Sequence, residues 1–470
     1  MTPSPSKGPV RPVSPASGFS AEIDTGVAIV GAGACGLVTA LMLHDAGIEC
    51  VVLERDAVPS GSTALSAGLI PAVRTRAQLA LGIHDDTPER FAADIQEKAH
   101  GGAPADLLKA YVEAAGPALD ALETRHGLAW TVIDEFLYPG HSRPRLHGVA
   151  QRTGTALMAG LQAAAEAAGI PVVTEAMVDE LWFDDAGLAV GVGYRRPDGQ
   201  QERVGCSALV LACNGFGGNA DMVRELLPEM REATFGGHTG NDGSAILWGR
   251  QLGARLRDLG AYQGHGSWMV PQGALMSWAA IMEGGIQVNS AGQRFHDETQ
   301  GYSEAAVHVL AQPGGIAWNV FDQPLLDLVR MFPEFRDAEA LGAVRRCDTV
   351  ADLAAHIGCG IDVLQATLDA MASTGPQPDG RRFARSLEAP YFLVKVTGAL
   401  FHTQGGLDVA PDMRVLREDG HAFPNLFAAG GAAGGVSGQA VWGYSAGNGL
   451  LSAVAGGYIA AETIARNQLA

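Results

Sequence analysis

Basic residues are scarce in this sequence, which has 32 Lys and Arg against 51 Asp and Glu and a formal net charge of −19. No part of the chain collects its positive charges into a dense cluster. Because binding to phosphate backbones requires a basic face, the charge balance argues against nucleic acid and anionic membranes as partners.

The sequence also lacks cysteines at the spacing of a zinc or redox site. Its six cysteines are scattered along the 470 residues, with no CxxC pair among them. We therefore expect reduced and mostly buried thiols, with neither a disulfide framework nor a metal site.

The first residues have no apolar run of the kind that a signal peptide contains. They are rich in Pro and Ser, and the composition predicts that residues 1–22 form a disordered tail of a cytoplasmic protein.

Formal charge is absent from residues 422–461, a length that raises the question of a membrane span. Ten of these forty residues are glycines, however, and Asn425, Gln439 and Asn448 interrupt the apolar character. Glycine at this density indicates backbone packed closely on backbone or on a ligand, so we interpret the segment as part of a binding site rather than a membrane helix.

A dinucleotide-binding pattern opens the chain. A β-type run over residues 27–30 leads into GAGACG, a helical pattern over residues 37–46 follows, and a second β-type run ends just before Glu54. Glycines in this βαβ context permit a tight turn, close approach of a pyrophosphate and packing of helix on strand, while the acidic residue accepts from ribose hydroxyls. We expect the ligand to contact Gly31, Gly33, Ala34, Cys35, Gly36, Glu54 and Arg55.

The next segment favours FAD over NAD as the ligand. The stretch PSGSTALSAGLIPA, at residues 59–72, is made of small hydroxylated residues and glycines. Such a segment suits a chain that passes beneath a flat ring system, whereas a nicotinamide domain would continue into another crossover helix.

The remaining pattern predicts an α/β protein with a Rossmann-like FAD-binding domain that is split in sequence. Residues 23–255 and 393–470 would form this domain, and residues 256–392 would form an inserted α+β substrate-capping domain.

Six ordered motifs resemble the soluble fumarate reductase flavoprotein family, which also contains the 3-ketosteroid Δ1-dehydrogenases. The motifs are VAIVGAGACGL, GSTALSAG, ALVLACNGFGGN, GQRFHDETQGYSE, FHTQGGL and PNLFAAGGAAGG with SAGNGLLSA. The resemblance covers nearly the whole chain after about residue 25.

The resemblance implies an FAD that lies extended along the first domain. Beyond the residues already named, it implies contacts from Ser62, Thr63, Ser66, Ala67, Gly68, Val178, Gly430, Gly431, Ser445, Asn448, Gly449 and Leu450. A helix that begins near Asn448 would direct its N-terminal amides at the flavin and stabilise its anionic reduced form.

Two departures from the family pattern bear on this contact set. Gly431 stands where the family often has Glu, so one ribityl contact is in doubt. The HSxxAxGG type of sequence that carries covalent FAD is absent, which predicts non-covalent binding.

The segment GQRFHDETQGYSEAA, at residues 292–306, indicates the type of chemistry. Fumarate reductases have a proton-donating arginine eight residues after the Arg of RF, and ketosteroid dehydrogenases have a tyrosine base there; this chain has Tyr302. The Glu and Arg that feed protons to the donor in fumarate reductases correspond to Trp278 and Ile281 by a gapless count. A phenol, with an ordinary pKa of roughly 10, would need a positive neighbour or an anionic partner to act as a base.

The arginine that binds the substrate carboxylate in the fumarate reductases is missing as well. The uncharged run has no arginine and offers Tyr444, whereas His402 in FHTQGG resembles the substrate-binding His of fumarate reductases. His265 is either a further polar contact or an ordinary core histidine, and Tyr138 is a candidate pocket tyrosine. Arg143, Arg145 and Arg152 could bind a carboxylate, but we expect them to line a solvated loop.

These residues predict an FAD-dependent oxidoreductase that desaturates a ketone or ketoacid at the CH–CH bond next to the carbonyl. The alternatives are reduction of an activated alkene such as an enoate, and a flavin-carrying module without turnover. The sequence has no haem-attachment CxxCH, no iron–sulfur spacing and no fused reductase domain, so the electron partner stays open.

Overall fold

The computed structural model describes residues 13–372 and 377–469. The first twelve residues of the predicted tail lie outside the described residues. Residues 13–22, in contrast, are ordered against the sheet, because Ser14 and Pro15 form a short strand that pairs with Trp182 and Phe183. The predicted tail is therefore too long at its C-terminal end.

The strands of the described residues, in chain order, are β1 (Ser14–Pro15), β2 (Ile23–Val30), β3 (Cys50–Leu53), β4 (Ile70–Pro71), β5 (Thr131–Val132), β6 (Leu146–Gly148), β7 (Val172–Val173), β8 (Met177–Phe183), β9 (Ala189–Arg195), β10 (Gln201–Leu211), β11 (Thr234–Phe235), β12 (Leu256–Arg257), β13 (Tyr262–Met269), β14 (Ala274–Leu275), β15 (Ile286–Val288), β16 (Ile316–Phe321), β17 (Val344–Cys347), β18 (Tyr391–Thr403), β19 (Gly406–Leu407), β20 (Arg414–Leu416) and β21 (Ala422–Ala428).

The α-helices of the same residues are α1 (Ala34–Asp45), α2 (Gly61–Ala64), α3 (Arg76–Ala80), α4 (Pro88–Lys98), α5 (Ala105–His126), α6 (Gly154–Ala167), α7 (Ala220–Leu226), α8 (Ser244–Leu252), α9 (Ala279–Met282), α10 (Tyr302–Leu310), α11 (Gln323–Val329), α12 (Pro333–Ala340), α13 (Val350–Ile357), α14 (Ile361–Ala370) and α15 (Asn448–Leu469).

The chain divides into two compact units. Unit 1 contains the residues up to Met222, Gly237–Ala261 and the residues from His402 onward, and unit 2 contains Val223–Gly236 and Tyr262–Phe401. The segment 223–236 was predicted to belong to the FAD-binding domain. It lies in unit 2 because β11 pairs with β18 and because the hydroxyl of Tyr262 donates to Glu229 over 3.0 Å.

Unit 1 is built on a sheet whose central strands run parallel. Five of its strands follow the order β7, β3, β2, β10 and β21, and β8 and β9 continue it as antiparallel strands beside β10. The register pairs Val30 with Leu53 and with Leu211, and Leu211 with Ala428. The carboxyl ends of these four strands thus share one edge, which is where open α/β sheets bind their ligands.

Helices α1 and α15 pack on this sheet and on each other, while α5 packs against α15 and α6 against α1. Their apolar faces and the central strands form one continuous hydrophobic core. The expected βαβ unit is present, because β2 ends at Val30 and α1 begins at Ala34.

Unit 2 has its own mostly antiparallel sheet and its own core. Seven of the described strands form this sheet, with β18 pairing with β11, β13, β16 and β17. Helix α10 lies directly on β13. Glycines make this close packing possible, because a Cβ at Gly264 would stand 2.9 Å from the Cβ of Ala306 and one at Gly266 would stand 2.6 Å from that of Ala305.

None of the helices in the described residues combines the length and apolar character needed to cross a membrane. The uncharged segment contributes β21 and the first turns of α15, and residues 429–447 form the connection between them.

Candidate active site

The glycine-rich turn after β2 shows why each of its glycines is needed. Gly31 has φ +105°, and a Cβ there would lie 2.6 Å from the carbonyl oxygen of Ala212. A Cβ at Gly36 would lie 1.9 Å from the carbonyl oxygen of Gly31. At Gly33, by contrast, the nearest atom is Oγ1 of Thr63 at 3.6 Å, so this face of the turn is open. The turn can therefore admit a pyrophosphate beside the amides that begin α1, where Ala34 and Cys35 lie.

Glu54 is held beside this turn at the end of β3. Its buried carboxylate accepts hydrogen bonds from the backbone N–H of Ala32 (2.8 Å) and of Asp56 (3.0 Å). The guanidinium of Arg55 donates to the carbonyl of Gly240 (2.8 Å) and pairs with Asp242 (3.2 Å), and its cofactor contact stays a prediction. Glu54 fits the ribose contact, whereas Arg55 ties the strand end to another loop.

The small-residue segment after β3 forms α2 and the turn that follows it. Thr63 accepts from the N–H of Ala34 over 3.1 Å, and Ser66 donates to the carbonyl of Thr63 over 2.7 Å. The N–H of Gly68 donates to the hydroxyl of Ser66 over 3.0 Å, and Ala67 is exposed. The segment is thereby fixed against the start of α1. This is the position that the resemblance implies for a cofactor-binding segment.

The backbone two residues before Val178 is hydrogen-bonded to Glu54. The N–H of Ala176 donates to the carbonyl of Glu54 over 2.7 Å, and Val178 follows two residues later at the start of β8. Its partly buried side chain packs against the core of unit 1. This location is compatible with the predicted adenine contact.

The loop from His238 to Asp242 also contacts the segment that was predicted to bind the cofactor, and the sequence analysis did not predict this. Asn241 donates to the hydroxyl of Ser62 over 2.8 Å, and His238 pairs with Asp56 over 3.0 Å. The hydrogen bond from His238 lowers the pKa of Asp56. The signal was present as a small-residue stretch, HTGNDG, directly before the helical pattern of α8.

The connection before α15 returns to the glycine-rich turn. Gly430 has φ +60°, and a Cβ there would lie 3.3 Å from the Cβ of Cys35. A Cβ at Gly431 would lie 2.0 Å from Oδ1 of Asn214 and 2.8 Å from Nε2 of His402. The side chains of Asn214 and His402 therefore occupy the space that a larger residue at this position would need, which explains the departure from the family pattern.

Helix α15 begins at Asn448, whose side chain is fully buried. Gly449 follows, and a Cβ there would lie 3.7 Å from Nδ1 of His402. Leu450 is partly buried against the core. The first turn of α15 thus lies beside the imidazole of His402.

His402 is a half-buried histidine with a defined hydrogen-bond partner. Its Nδ1 lies 2.7 Å from Nε2 of Gln404, and burial lowers the pKa of the imidazole to about 4. At neutral pH the ring is therefore neutral, so it can donate a hydrogen bond to a substrate but offers no positive charge.

Tyr138 and Tyr444, the two candidate pocket tyrosines of unit 1, lie next to segments that are hydrogen-bonded to each other. His141 donates from Nε2 to the carbonyl of Ala446 over 2.8 Å, and the hydroxyl of Ser445 lies 3.4 Å from the carbonyl of Gly140. Tyr138 precedes the first segment and Tyr444 precedes the second, and Tyr444 is buried. Ser445, predicted to bind the cofactor, connects these segments.

The arginines of the loop after Tyr138 are all engaged in ion pairs. Arg145 is buried and binds Asp86 (2.8 Å) and Asp94 (2.5 Å), so it does not line a solvated loop as expected. The half-buried Arg143 and Arg152 pair with Asp85 (2.6 Å) and Glu135 (2.8 Å).

In unit 2, Tyr302 and His265 are in ring contact. Tyr302 is the buried first residue of α10, and its ring stacks on that of His265 with centroids 4.7 Å apart and planes inclined by 17°. Nδ1 of His265 accepts from the N–H of Ser267 over 3.1 Å, and burial lowers the pKa of the ring to about 3. His265 is accordingly neutral, with its proton on Nε2.

The charged residues that precede Tyr302 hold its loop in place. Buried Glu298 forms ion pairs with Arg294 and with Arg381, the latter over 2.8 Å. Burial alone would raise the pKa of Glu298, but the hydrogen bond from Arg294 and the charges of both arginines lower it to about 2. The charges in this stretch are thus structural, and they fix the loop that delivers Tyr302 to the start of α10.

The positions that correspond to the proton-feeding pair of the fumarate reductases are apolar and buried here. Trp278 and Ile281 are at most 1% exposed, and the indole N–H of Trp278 donates to the carbonyl of Glu298 over 3.2 Å. Neither side chain can pass a proton to Tyr302.

Comparison with known families identifies the chain. Residues 26–450 match the family model described as "FAD binding domain". The chain belongs to this family. The predicted FAD cofactor, the α/β fold with a parallel sheet and the resemblance to flavoprotein oxidoreductases are confirmed.

Curated relatives and solved structures agree with this assignment. The chain is 28% identical to the probable fumarate reductase Ifc3 of Shewanella frigidimarina over 95% of this chain and 75% of that protein. It is 28% identical to the 3-oxosteroid 1-dehydrogenase of Mycobacterium tuberculosis over 66% of this chain and 63% of that protein. It is also 25% identical to the 4-oxocyclohexanecarboxylate 2-dehydrogenase of Sinomonas cyclohexanicum over 93% and 92% of the two chains. The open conformation of a flavocytochrome c3 fumarate reductase superimposes with a TM-score of 0.80 at 27% identity, covering 97% of this chain and 80% of that one. The chain is thus an FAD-dependent oxidoreductase of the group that acts on CH–CH bonds.

Proposed function

We propose that this enzyme desaturates a ketone or ketoacid at the CH–CH bond next to the carbonyl. The observation that carries the proposal is the residue at the proton-transfer position. Tyr302 stands there, stacked on a neutral histidine, while Trp278 and Ile281 replace the family's proton-feeding pair. This set resembles that of enzymes that remove a proton from a ketone.

The residues of unit 1 fit a bound FAD on the evidence of their packing. Gly33 leaves room where a Cβ would project, and Glu54 is anchored beside the turn by two backbone amides. When bound, FAD would supply the hydride-accepting chemistry. We further propose that it is held non-covalently by the residues around Gly33, Glu54, Ser62 and Gly430.

Tyr302 would take the proton from the carbon next to the carbonyl. The N-terminus of α10 carries partial positive charge, which stabilises negative charge in its first turn, where Tyr302 lies. We propose that this helix end supplies the positive neighbour that a tyrosine base needs. His265 does not meet it, because its imidazole is neutral.

His402 and Tyr444 would stabilise the enolate that forms when the proton leaves. Both can donate a hydrogen bond without bringing a full charge to the site. Relatives that act on a cyclic ketone support this assignment, since the 4-oxocyclohexanecarboxylate dehydrogenase matches this chain over nearly its entire length.

Reduction of an activated alkene is the second candidate. It is supported by the retained HTQGG segment with His402 and by the probable fumarate reductase among the relatives. In that direction Tyr302 would give a proton to the substrate instead of taking one. We also propose that the protein acts in the cytoplasm.

Product analysis tests the proposal. The FAD-loaded protein would be incubated with cyclic ketones and ketoacids in the presence of an artificial electron acceptor, and the products would be separated by mass. A product two hydrogen atoms lighter supports desaturation, and its absence with every ketone, together with turnover of an enoate under reducing conditions, would favour the second candidate.

A further inference from the structure

A chain of side-chain hydrogen bonds in unit 1 ends on His402. The amide of Asn448 donates from Nδ2 to the hydroxyl of Ser437 over 3.1 Å, and this hydroxyl donates to Oε1 of Gln404 over 2.9 Å. Nε2 of Gln404 lies 2.7 Å from Nδ1 of His402. Asn448, Ser437 and Gln404 are all buried.

The direction of this chain follows from which amide atoms face the hydroxyl of Ser437, namely Nδ2 of Asn448 and Oε1 of Gln404. A serine hydroxyl has one proton, and Ser437 gives it to Gln404 while accepting from Asn448. Oε1 of Gln404 is occupied in this way, so the amide presents an N–H to His402. Nδ1 of His402 must then accept, and the neutral ring carries its proton on Nε2.

The backbone on either side keeps Gln404 in this orientation. Its N–H donates to the carbonyl of Ala261 over 2.8 Å, and its carbonyl accepts from the N–H of Gly435 over 2.8 Å. The side chain therefore reaches both Ser437 and His402 from a fixed strand end.

The Nε2 edge of His402 has no hydrogen-bond partner within the part of the chain that the structure describes. The point that a Cβ at Gly431 would occupy lies 2.8 Å from Nε2. Oδ1 of Asn214 lies 2.0 Å from the same point, and Gly431 itself adds no side chain to this space. The Nε2 proton is then available to a substrate oxygen that enters beside Gly431.

We propose that Gln404 is a positioning residue that holds His402 in the Nε2–H tautomer, so that His402 donates to the oxygen of a carbonyl substrate. The proposal rests on the proposed function for the identity of the acceptor, but the tautomer itself does not depend on it. A donor without formal charge suits a ketone oxygen, whose negative charge develops only as the enolate forms. The low pKa of His402, about 4, agrees with a ring that stays neutral in this role.

The tautomer can be measured directly by nitrogen NMR. FAD-loaded protein labelled with ¹⁵N-histidine would be compared with its His402→Gln variant, which identifies the His402 signals among the 13 histidines. We expect a pyridine-like Nδ1 and a pyrrole-like Nε2. A pyrrole-like Nδ1 would overturn the proposal.

Gln404→Glu is the decisive variant, because a carboxylate beside Nδ1 can only accept. We expect Nδ1 of His402 to become protonated and kcat for the ketone to fall roughly 10- to 100-fold with a smaller change in KM, which is less than the loss on the order of 100- to 1000-fold expected when an oxyanion donor is removed. Gln439→Glu makes the same change at an exposed site two residues after Ser437 and should alter neither readout.

Ser437→Ala provides a second route if Gln404→Glu does not fold. Without the serine proton, Gln404 is free to turn its amide, so both tautomers of His402 should appear in the spectrum. Unchanged nitrogen shifts in both variants would show that Gln404 does not set the tautomer. If the shifts respond but no ketone is turned over by the natural protein, the positioning role stands and the proposed function fails.

Discussion

The imidazole of His265 lies nearly parallel to the phenol ring of Tyr302, with ring centroids 4.7 Å apart. Gly264 and Gly266, on either side of His265, let α10 pack so closely on β13 that a Cβ at either position would stand within 2.9 Å of an alanine Cβ. The proposed base is therefore positioned by glycines of the neighbouring strand as well as by its own helix.

Replacement of the proposed base gives the first prediction. Tyr302→Phe keeps the ring stack and removes the hydroxyl, so we expect FAD binding to be retained and turnover to fall about 100- to 10,000-fold, the range for loss of a general base. The measurement is steady-state kinetics at several pH values. Tyr391→Phe, on β18, is the matched control, because it removes the hydroxyl of a half-buried tyrosine outside the proposed site, and it should leave the rate within about twofold of the natural protein.

The glycine strand gives the second prediction. Gly266→Ala places a Cβ 2.6 Å from that of Ala305, which must push α10 away from β13. Overpacking of this kind costs about 1–3 kcal/mol of unfolding free energy, and it should lower activity by displacing Tyr302 from His265. Denaturant titration measures the first effect and kinetics the second.

Gly360→Ala is the control for this substitution. The nearest atom to its added Cβ is a methyl of Val363 at 3.7 Å, which is ordinary van der Waals contact. Equal losses in the two variants would contradict the packing argument.

The nucleotide turn gives a third prediction, which separates folding from cofactor binding. Gly36→Ala brings a Cβ within 1.9 Å of the carbonyl oxygen of Gly31, so the protein should fold poorly. Gly33→Ala meets only a hydroxyl at 3.6 Å, so it should fold normally and bind FAD more weakly. FAD content after purification and the melting temperature of the cofactor-free protein distinguish the two. Normal FAD content in Gly33→Ala would mean that the open face of the turn does not receive the pyrophosphate.

Buried histidines give a fourth prediction, for stability at acid pH. Burial lowers the pKa of His141 and of His147 to about 4, from an ordinary value of about 6.5. In the unfolded chain these groups bind protons below about pH 6.5, whereas in the folded protein they stay neutral down to about pH 4. The free energy of unfolding therefore decreases as the pH falls through this window. Each of the two histidines contributes a decrease of about 1.4 kcal/mol for each pH unit.

His147→Gln tests this linkage, because a glutamine cannot titrate. The variant should be less stable at neutral pH, since it disturbs the contacts to Thr75 and to the carbonyl of Arg145. Its stability should nevertheless fall less steeply between pH 6.5 and 4 than that of the natural protein. If the stabilities of the two proteins fall equally steeply with pH, His147 has the same pKa in the folded protein as in the unfolded chain.

The βαβ unit and the cofactor were predictable because their signals are local. The turn glycines, Glu54 and the small-residue segment after it all lie between Gly31 and Ala72, and each is required by a strand–turn–helix geometry that the sequence pattern specifies.

Contacts between distant parts of the chain could not be predicted in the same way. Arg145 was expected at a solvated loop, and it is buried because Asp86 and Asp94, more than fifty residues earlier, neutralise it. The contacts of His238 and Asn241 with Asp56 and Ser62 likewise join segments about 180 residues apart. The sequence also left open whether His265 is a polar contact of the site or a core histidine. Its stacking partner, Tyr302, lies on another element, so the structure was needed to find this contact.

The most direct test of the account is an anaerobic titration of the FAD-loaded protein, followed by the visible absorbance of the oxidised flavin. Cyclic ketones and ketoacids would be added to the oxidised protein, and fumarate and other enoates to protein that dithionite has reduced. We predict that a saturated ketone bleaches the flavin of the natural protein and that the bleaching is much slower in Tyr302→Phe. Rapid reoxidation by an enoate, with no bleaching by any ketone, would contradict the proposed direction and the role of Tyr302 as a base.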